Sequence, residues 1–148
     1  MSYLPSNIWG FFKHKVENYI DKNHKNILIV LTDGYLYDVS NKGLEKNNEK
    51  TNFTTSTIKK LGLNNINWEN RMQDKKIGIL PANENLNNLE VLVIGLNPNT
   101  KSQNPYEVDV MNKLWGDWFN KMGIKKFKIE TADLPTNLDQ TIKNFITQ

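Results

Sequence analysis

The sequence predicts an α/β fold built on a short, mainly parallel sheet flanked by helices. Three observations lead there. Ile27-Leu28-Ile29-Val30-Leu31 is an unbroken run of large, mostly branched apolar residues. Such runs mark strands buried on both faces, as parallel sheets require. Val91-Leu92-Val93-Ile94-Gly95-Leu96 is a second run of the same kind. A helical pattern and then an alternating segment follow it, and this strand–helix–strand order is the unit of a parallel sheet. At 148 residues the chain suits one domain, residues 1–148, in a doubly wound, three-layer α/β/α arrangement.

Taken in order, Ile8, Phe11, Phe12, Val16, Tyr19 and Ile20 recur at spacings of three and four, which predicts a helix from Ser6 to about Asn23. Ser6, after Pro5, is its expected N-cap. The first strand follows and ends in Thr32-Asp33-Gly34. Residues 40–89 are polar and asparagine-rich and read as an irregular excursion, most mobile from Lys42 to Thr54. Within it, Thr57 to Leu61 suggests a short helix and Ile77 to Leu80 a short strand. After the second strand, Asn104 is placed to cap a long helix, with Pro105 at its first position and Glu107 closing a capping box. Its buried stripe is expected to be Val108, Met111, Trp115, Trp118, Phe119 and Met122, with Gly123 as the left-handed stop. Lys125 to Glu130 alternates lysine with Phe127 and Ile129, the mark of an edge strand. A last helix is expected after Pro135, with Thr136 as cap and Leu138, Ile142, Phe145 and Ile146 buried.

Composition narrows the chemistry. There are no cysteines, which excludes disulfides, thiolate metal sites and a cysteine nucleophile, and suits a reducing compartment such as the cytoplasm. The net charge is only +3 and the lysines are scattered, so no nucleic-acid partner is expected. No apolar run approaches the ~20 residues that span a bilayer, and the amino-terminal residues have no basic or apolar region of a signal peptide. The glycines form no phosphate-binding loop. The two histidines, His14 and His24, pair with no nucleophile by spacing. An enzyme is therefore not expected.

Ligands of open α/β sheets sit beyond the carboxyl ends of the strands. Here those ends carry Thr32 and Asp33, then Asn97, Asn99 and Thr100, then Thr131 and Asp133. The functional reading is a hard-cation site with Asp33 as strong ligand and Thr32 and Asn97 beside it. The structural reading is that the same residue types cap turns and helix starts. One carboxylate among neutral oxygens would bind Mg2+ or Ca2+ weakly, and no other cofactor is expected.

The run from Ile27 to Gly34 resembles the fourth strand of von Willebrand factor A-type domains, an apolar run ending in Thr-Asp-Gly. Val91 to Leu96 resembles their fifth strand, with its Ile-Gly step, and the remaining order of helix, strand and helix fits the end of that fold. The resemblance implies a metal-ion-dependent adhesion site in which Asp33 matches the third-loop aspartate. The family's Asp-x-Ser-x-Ser motif is absent. The nearest string, Asp38-Val39-Ser40-Asn41-Lys42, lies on the wrong side of Asp33. The site would thus be degenerate and the fold incomplete, lacking its front half. Val30 to Asp38 also resembles the first motif of haloacid dehalogenase-type phosphatases, with Asp33, Gly34, Leu36 and Asp38 in register. Leu31 stands at the nucleophile's place there, so that relative would be inactive.

An incomplete sheet has a consequence. A strand apolar enough for a sheet centre would be left with an open edge, and open edges pair with other chains. The expectation is a non-catalytic module for protein–protein contact, completed by another polypeptide or by a symmetric dimer.

Overall fold

The computed structural model describes residues 7–37, 43–98, 101, 103–132 and 135–148. Its elements run α1 (Ile8–His14), a 3-10 turn (Val16–Tyr19), β1 (Asn26–Leu31), β2 (Glu45–Lys46), β3 (Glu49–Lys50), α2 (Thr55–Lys60), α3 (Trp68–Lys75), β4 (Gly78–Ile79), β5 (Leu89–Leu96), α4 (Glu107–Lys121), β6 (Lys126–Thr131) and α5 (Pro135–Thr147). β1, β5 and β6 form one parallel sheet with β5 in the middle. Asn26 to Leu31 pair with Leu89 to Ile94, and Glu90 to Ile94 pair with Lys126 to Glu130.

The side-chain period of two divides β5 between two cores. Leu89, Val91 and Val93 join the larger one, with Trp9 and Phe12 of α1 and the apolar face of α4. Leu92 and Ile94 point the other way, onto Phe145 of α5, with Ile27, Leu138 and Ile142 packed around them. Helices therefore cover both faces of the central strand. In the larger core Phe12 meets Trp118 edge-on at 5.0 Å, and Trp118 meets Trp115 at 5.6 Å. Buried indoles need acceptors. Trp9 and Trp118 both donate to the Leu80 carbonyl, at 2.7 and 3.0 Å, and Trp115 donates to the Gly34 carbonyl at 2.9 Å.

Several expectations change. The first helix stops at His14. Asn7 caps it, its Oδ1 accepting from the Gly10 N–H at 2.8 Å, and Ser6 lies outside the described residues. Lys15 leaves helical geometry, and the 3-10 turn that follows buries Val16 but leaves Tyr19 outside, stacked on Phe11. Asn18 and Tyr19 add little helix propensity to resist that tighter turn. In α4 the buried stripe also takes in Val110 and Leu114, while Val108 is half-exposed. The helix α5 begins at Pro135 itself, so Thr136 lies inside it. Phe145 is buried, but Ile146 is exposed.

The excursion of residues 40–89 holds regular structure in its described part. Asn47 and Asn48, both at positive φ, turn β2 back onto β3. Paired positive φ is the signature of the tight hairpin turn that asparagine tolerates. β3 then pairs in parallel with β4, making a second, small sheet. Leu36 and Phe53 exchange main-chain hydrogen bonds at 3.0 and 2.9 Å and tie this unit to the end of β1.

For β1 the reading of burial on both faces is corrected, while the open edge expected of an incomplete sheet is seen. β1 is an edge strand, paired with β5 alone among the described residues, and neither of its faces is fully buried. A three-stranded sheet has one central position, and β5 takes it. The edge assignment of β6 agrees with its alternation.

Between Ile94 and Leu96 the β5–β6 register slips by one residue at Gly95, whose φ is +106°. A Cβ there would sit 3.0 Å from the Thr32 carbonyl oxygen, which is backbone and cannot step aside. Gly95→Ala is therefore expected to destabilise the fold by about 2 kcal/mol. Urea unfolding checks this: the midpoint should fall with the slope unchanged.

Candidate functional site

The three strands end on one rim, and short main-chain bonds hold the ends together. The Asn97 N–H donates to the Asp33 carbonyl at 3.0 Å, and the Ala132 N–H to that of Leu96 at 3.0 Å. The structure thus brings Thr32, Asp33 and Asn97 to one place, as their sequence positions imply. Their side chains are engaged differently from a cation cage. Thr32 Oγ1 accepts from the Gly34 N–H at 3.1 Å, and Asp33 Oδ1 from the Tyr35 N–H at 3.1 Å. Both bonds turn the chain inward after β1, the turn-capping use of these residue types. Among the described residues no group of three or more histidine, aspartate or glutamate side chains is placed to hold a metal. Among the described residues Thr32, Asp33 and Asn97 bring one carboxylate to this rim. Asp38, Ser40, Asn99, Thr100 and Asp133 lie outside the described residues. His24 is a surface partner of Asp21 at 2.7 Å.

The inward turn builds a feature that the sequence did not announce. Tyr35 is buried, and its hydroxyl donates to Glu107 Oε1 at 2.6 Å while accepting from Thr55 Oγ1 at 2.9 Å. Glu107 is fully buried at the first position of α4. It does not close a capping box. Asn104 Oδ1 accepts from the Tyr106 N–H at 3.1 Å, and Glu107 faces the core instead. Its carboxyl at a helix N-terminus lies where the helix dipole favours negative charge. Its Oε2 has no hydrogen-bond partner among the described residues. The chain of Thr55, Tyr35 and Glu107 is best read as the polar tie between excursion, β1 and α4. Only the lone acidic residue after Asn104-Pro105-Tyr106 hinted at it in the sequence.

At the opposite, amino end of the sheet, Glu90 of β5 receives Lys126 Nζ at 2.8 Å and Lys25 Nζ at 3.4 Å. One carboxylate so spans all three strands. Partial desolvation pushes the Glu90 carboxyl up, but hydrogen bonds and positive charge from Lys126 and Lys25 outweigh it and hold it below its ordinary value.

The open surface lies along β1. The Thr32 N–H donates to the Ile94 carbonyl, so even-numbered residues of β1 turn their main-chain groups toward β5. The N–H and C=O groups of Ile27, Ile29 and Leu31 consequently point away from the sheet. Their side chains share the face that α5 covers, where Ile27 packs with Leu138, Ile142 and Phe145. Ile29 is 38% exposed and Leu31 77%. On the other face Leu28 joins Phe11, Tyr19, Ile20 and Ile27 in lining an open groove of about 440 Å3 beside the strand's amino end.

No family model, no curated protein and no solved structure matches the chain. Among the described residues no helix is long and apolar enough to cross a membrane.

Two expectations follow from these contacts. Tyr35→Phe should lower stability by about 1–3 kcal/mol, because both oxygens of a buried carboxylate then lack a donor; urea unfolding of the variant against the parent measures it. The stability that Glu90 contributes is present above the carboxylate range and lost as pH falls through its lowered folded value. Glu90→Gln should therefore narrow its gap to the parent as pH drops, which melting temperatures across an acid titration will show.

Proposed function

We propose that this chain is a non-catalytic protein-contact module that takes up a polypeptide strand on the open edge of β1. One observation carries the reading: a five-residue apolar strand lies at a sheet edge with Leu31 77% exposed and its outward main-chain groups unpaired in the sheet. Native edges are ordinarily short, charged, bulged or covered, because an open apolar edge pairs with whatever strand it meets. Strand addition is an established recognition mode, with affinity from main-chain hydrogen bonds and selectivity from alternate side chains. The groove lined by Phe11, Tyr19 and Leu28 and the uncovered face at Ile29 and Leu31 would receive those alternate side chains.

The resemblance to von Willebrand factor A-type domains supports the same reading. In that fold the strand matched by Ile27 to Thr32 is central, so a chain lacking its neighbour presents an interior edge. On this view the chain is a three-layer α/β/α relative with a degenerate metal site and no catalytic role. The absence of cysteines suits a cytoplasmic setting.

A synthetic peptide with the sequence Lys25 to Asp33, titrated into dilute isotope-labelled protein, tests the edge directly. Amide shifts are expected first at Ile27, Ile29 and Leu31. Shifts confined elsewhere, or none at a large excess of peptide, would remove the reading.

A further inference from the structure

We infer that the strand taken up by β1 is the β1 of a second copy, running antiparallel about a two-fold axis through Ile29. The inference rests on the edge reading above and adds the identity and register of the occupant. An antiparallel pair between two outward-facing edges must match residues whose main-chain groups both point outward. Those are the odd-numbered ones here, as the Thr32–Ile94 bond shows. Centring the axis on Ile29 sets Ile29 against itself, Ile27 against Leu31 of the second copy, and Lys25 against its Asp33. Three facing apolar pairs would exchange about six main-chain hydrogen bonds, two for each pair.

Charge and coverage select this register over its neighbours. Lys25 and Asp33 stand just outside the two ends of the strand and both are exposed. Within its own chain the Lys25 ammonium reaches Glu90 at 3.4 Å and the Ile146 carbonyl at 3.1 Å, so it would turn outward to meet the second copy, while Asp33 keeps Oδ2 beside the Oδ1 that accepts from the Tyr35 N–H. The register through Ile29 brings opposite charges together at both ends, and such cross-strand pairs stabilise while like charges oppose. Shifting the axis by one residue either way moves Asp33 opposite Ile27 or Asn23 and leaves the charges unmatched. Coverage agrees. Leu31 is the most exposed residue of β1, while Ile27 packs with Leu138 and Ile142 of its own α5. The two-fold carries it to Ile27 of the second copy, beside that copy's Leu138 and Ile142. Each protomer would then cover the leucine that the other leaves exposed, and a six-stranded sheet would leave only β6 at its edges. β6 is the strand whose lysines suit an edge. A self-complementary contact of this kind closes as a symmetric dimer.

The natural chain has no cysteine, so single introduced ones report cleanly. Facing residues of such a pair have Cα atoms about 5.5 Å apart, within the reach of a disulfide. Full-length Ile29→Cys should form a covalent dimer on mild oxidation or with a short bis-maleimide. Ile27→Cys and Leu31→Cys should each fail alone, since each lies about 13 Å from its own copy, but should cross-link when mixed. Light scattering from low micromolar to near-millimolar concentration should give twice the chain mass, and Leu31→Lys should weaken the dimer tenfold or more. A dimer in which Ile29→Cys does not cross-link overturns the inference. So does a monomer throughout: if the Lys25–Asp33 peptide still binds, only the second copy as occupant is wrong, and if it does not, the edge reading falls as well.

Discussion

The structure depends on β5 having no wet face. Val91, Leu92, Val93 and Ile94 alternate between two cores, and all four are buried. A strand of this kind must be flanked on both edges and roofed on both sides, because its main-chain groups need partners and its side chains need apolar neighbours. β1 and β6 supply the edges, α4 and α1 one roof, and α5 the other. Among them α4 has the largest part, since its Trp115, Trp118 and Phe119 fill the space between β5 and the small second sheet.

That demand also explains the unusual residues. The slip at Gly95 lets β5 leave its β6 register without leaving the sheet, and it works only because no Cβ presses on the Thr32 carbonyl. The turn that follows β1 has to come off the same rim and pass under α4. Thr32 and Asp33 hold that turn through their side chains, and Gly34, at φ +99°, sits where a Cβ would be 3.0 Å from Leu96 and Met111. Tyr35 then arrives against Glu107. A buried carboxyl is costly unless hydrogen-bonded. Its bond to Tyr35 therefore makes the path of the excursion depend on the start of α4, far away in sequence. At this rim Thr32 Oγ1 and Asp33 Oδ1 each accept from the backbone two residues on rather than converging on a shared point.

Much of this was legible in the sequence. The two apolar runs located β1 and β5, the 3.6-residue period located α4 and α5, and the lysine alternation marked β6 as an edge. These signals are local and strong, because burial on both faces or on one stripe leaves a direct trace in composition. The failures share a cause. Ile27 to Leu31 reads as a buried strand because composition reports the environment a strand suits and not how many neighbours it finds. The hairpin at Asn47 and Asn48 was hidden because its strands, Glu45-Lys46 and Glu49-Lys50, are all charged and carry no apolar pattern. Trp68 to Lys75 formed a helix unnoticed because only Met72 of its residues is buried. Glu107 read as a cap because the capping-box spacing was present, while the hydroxyl that claims it lies 72 positions away. Thr32, Asp33 and Asn97 stand on one rim, but spacing could not reveal that Thr32 Oγ1 and Asp33 Oδ1 hold the turn that follows β1.

The mismatch at β1 is the place where sequence and structure disagree most usefully. In β5, β6 and α4 local preference and tertiary setting agree, as they do in sequences that fold to one state. At β1 the sequence asks for a covered strand, and the described residues do not provide the cover. Two protections that edges commonly use are missing: no proline interrupts the run, and no charge falls between Asn26 and Thr32. The charges stand only at its two ends, opposite in sign, which is the arrangement a self-paired strand would need and a solvated edge would not. The conflict is resolved if the folding unit is larger than one chain, so that the apolar content of β1 answers to a neighbour supplied from outside.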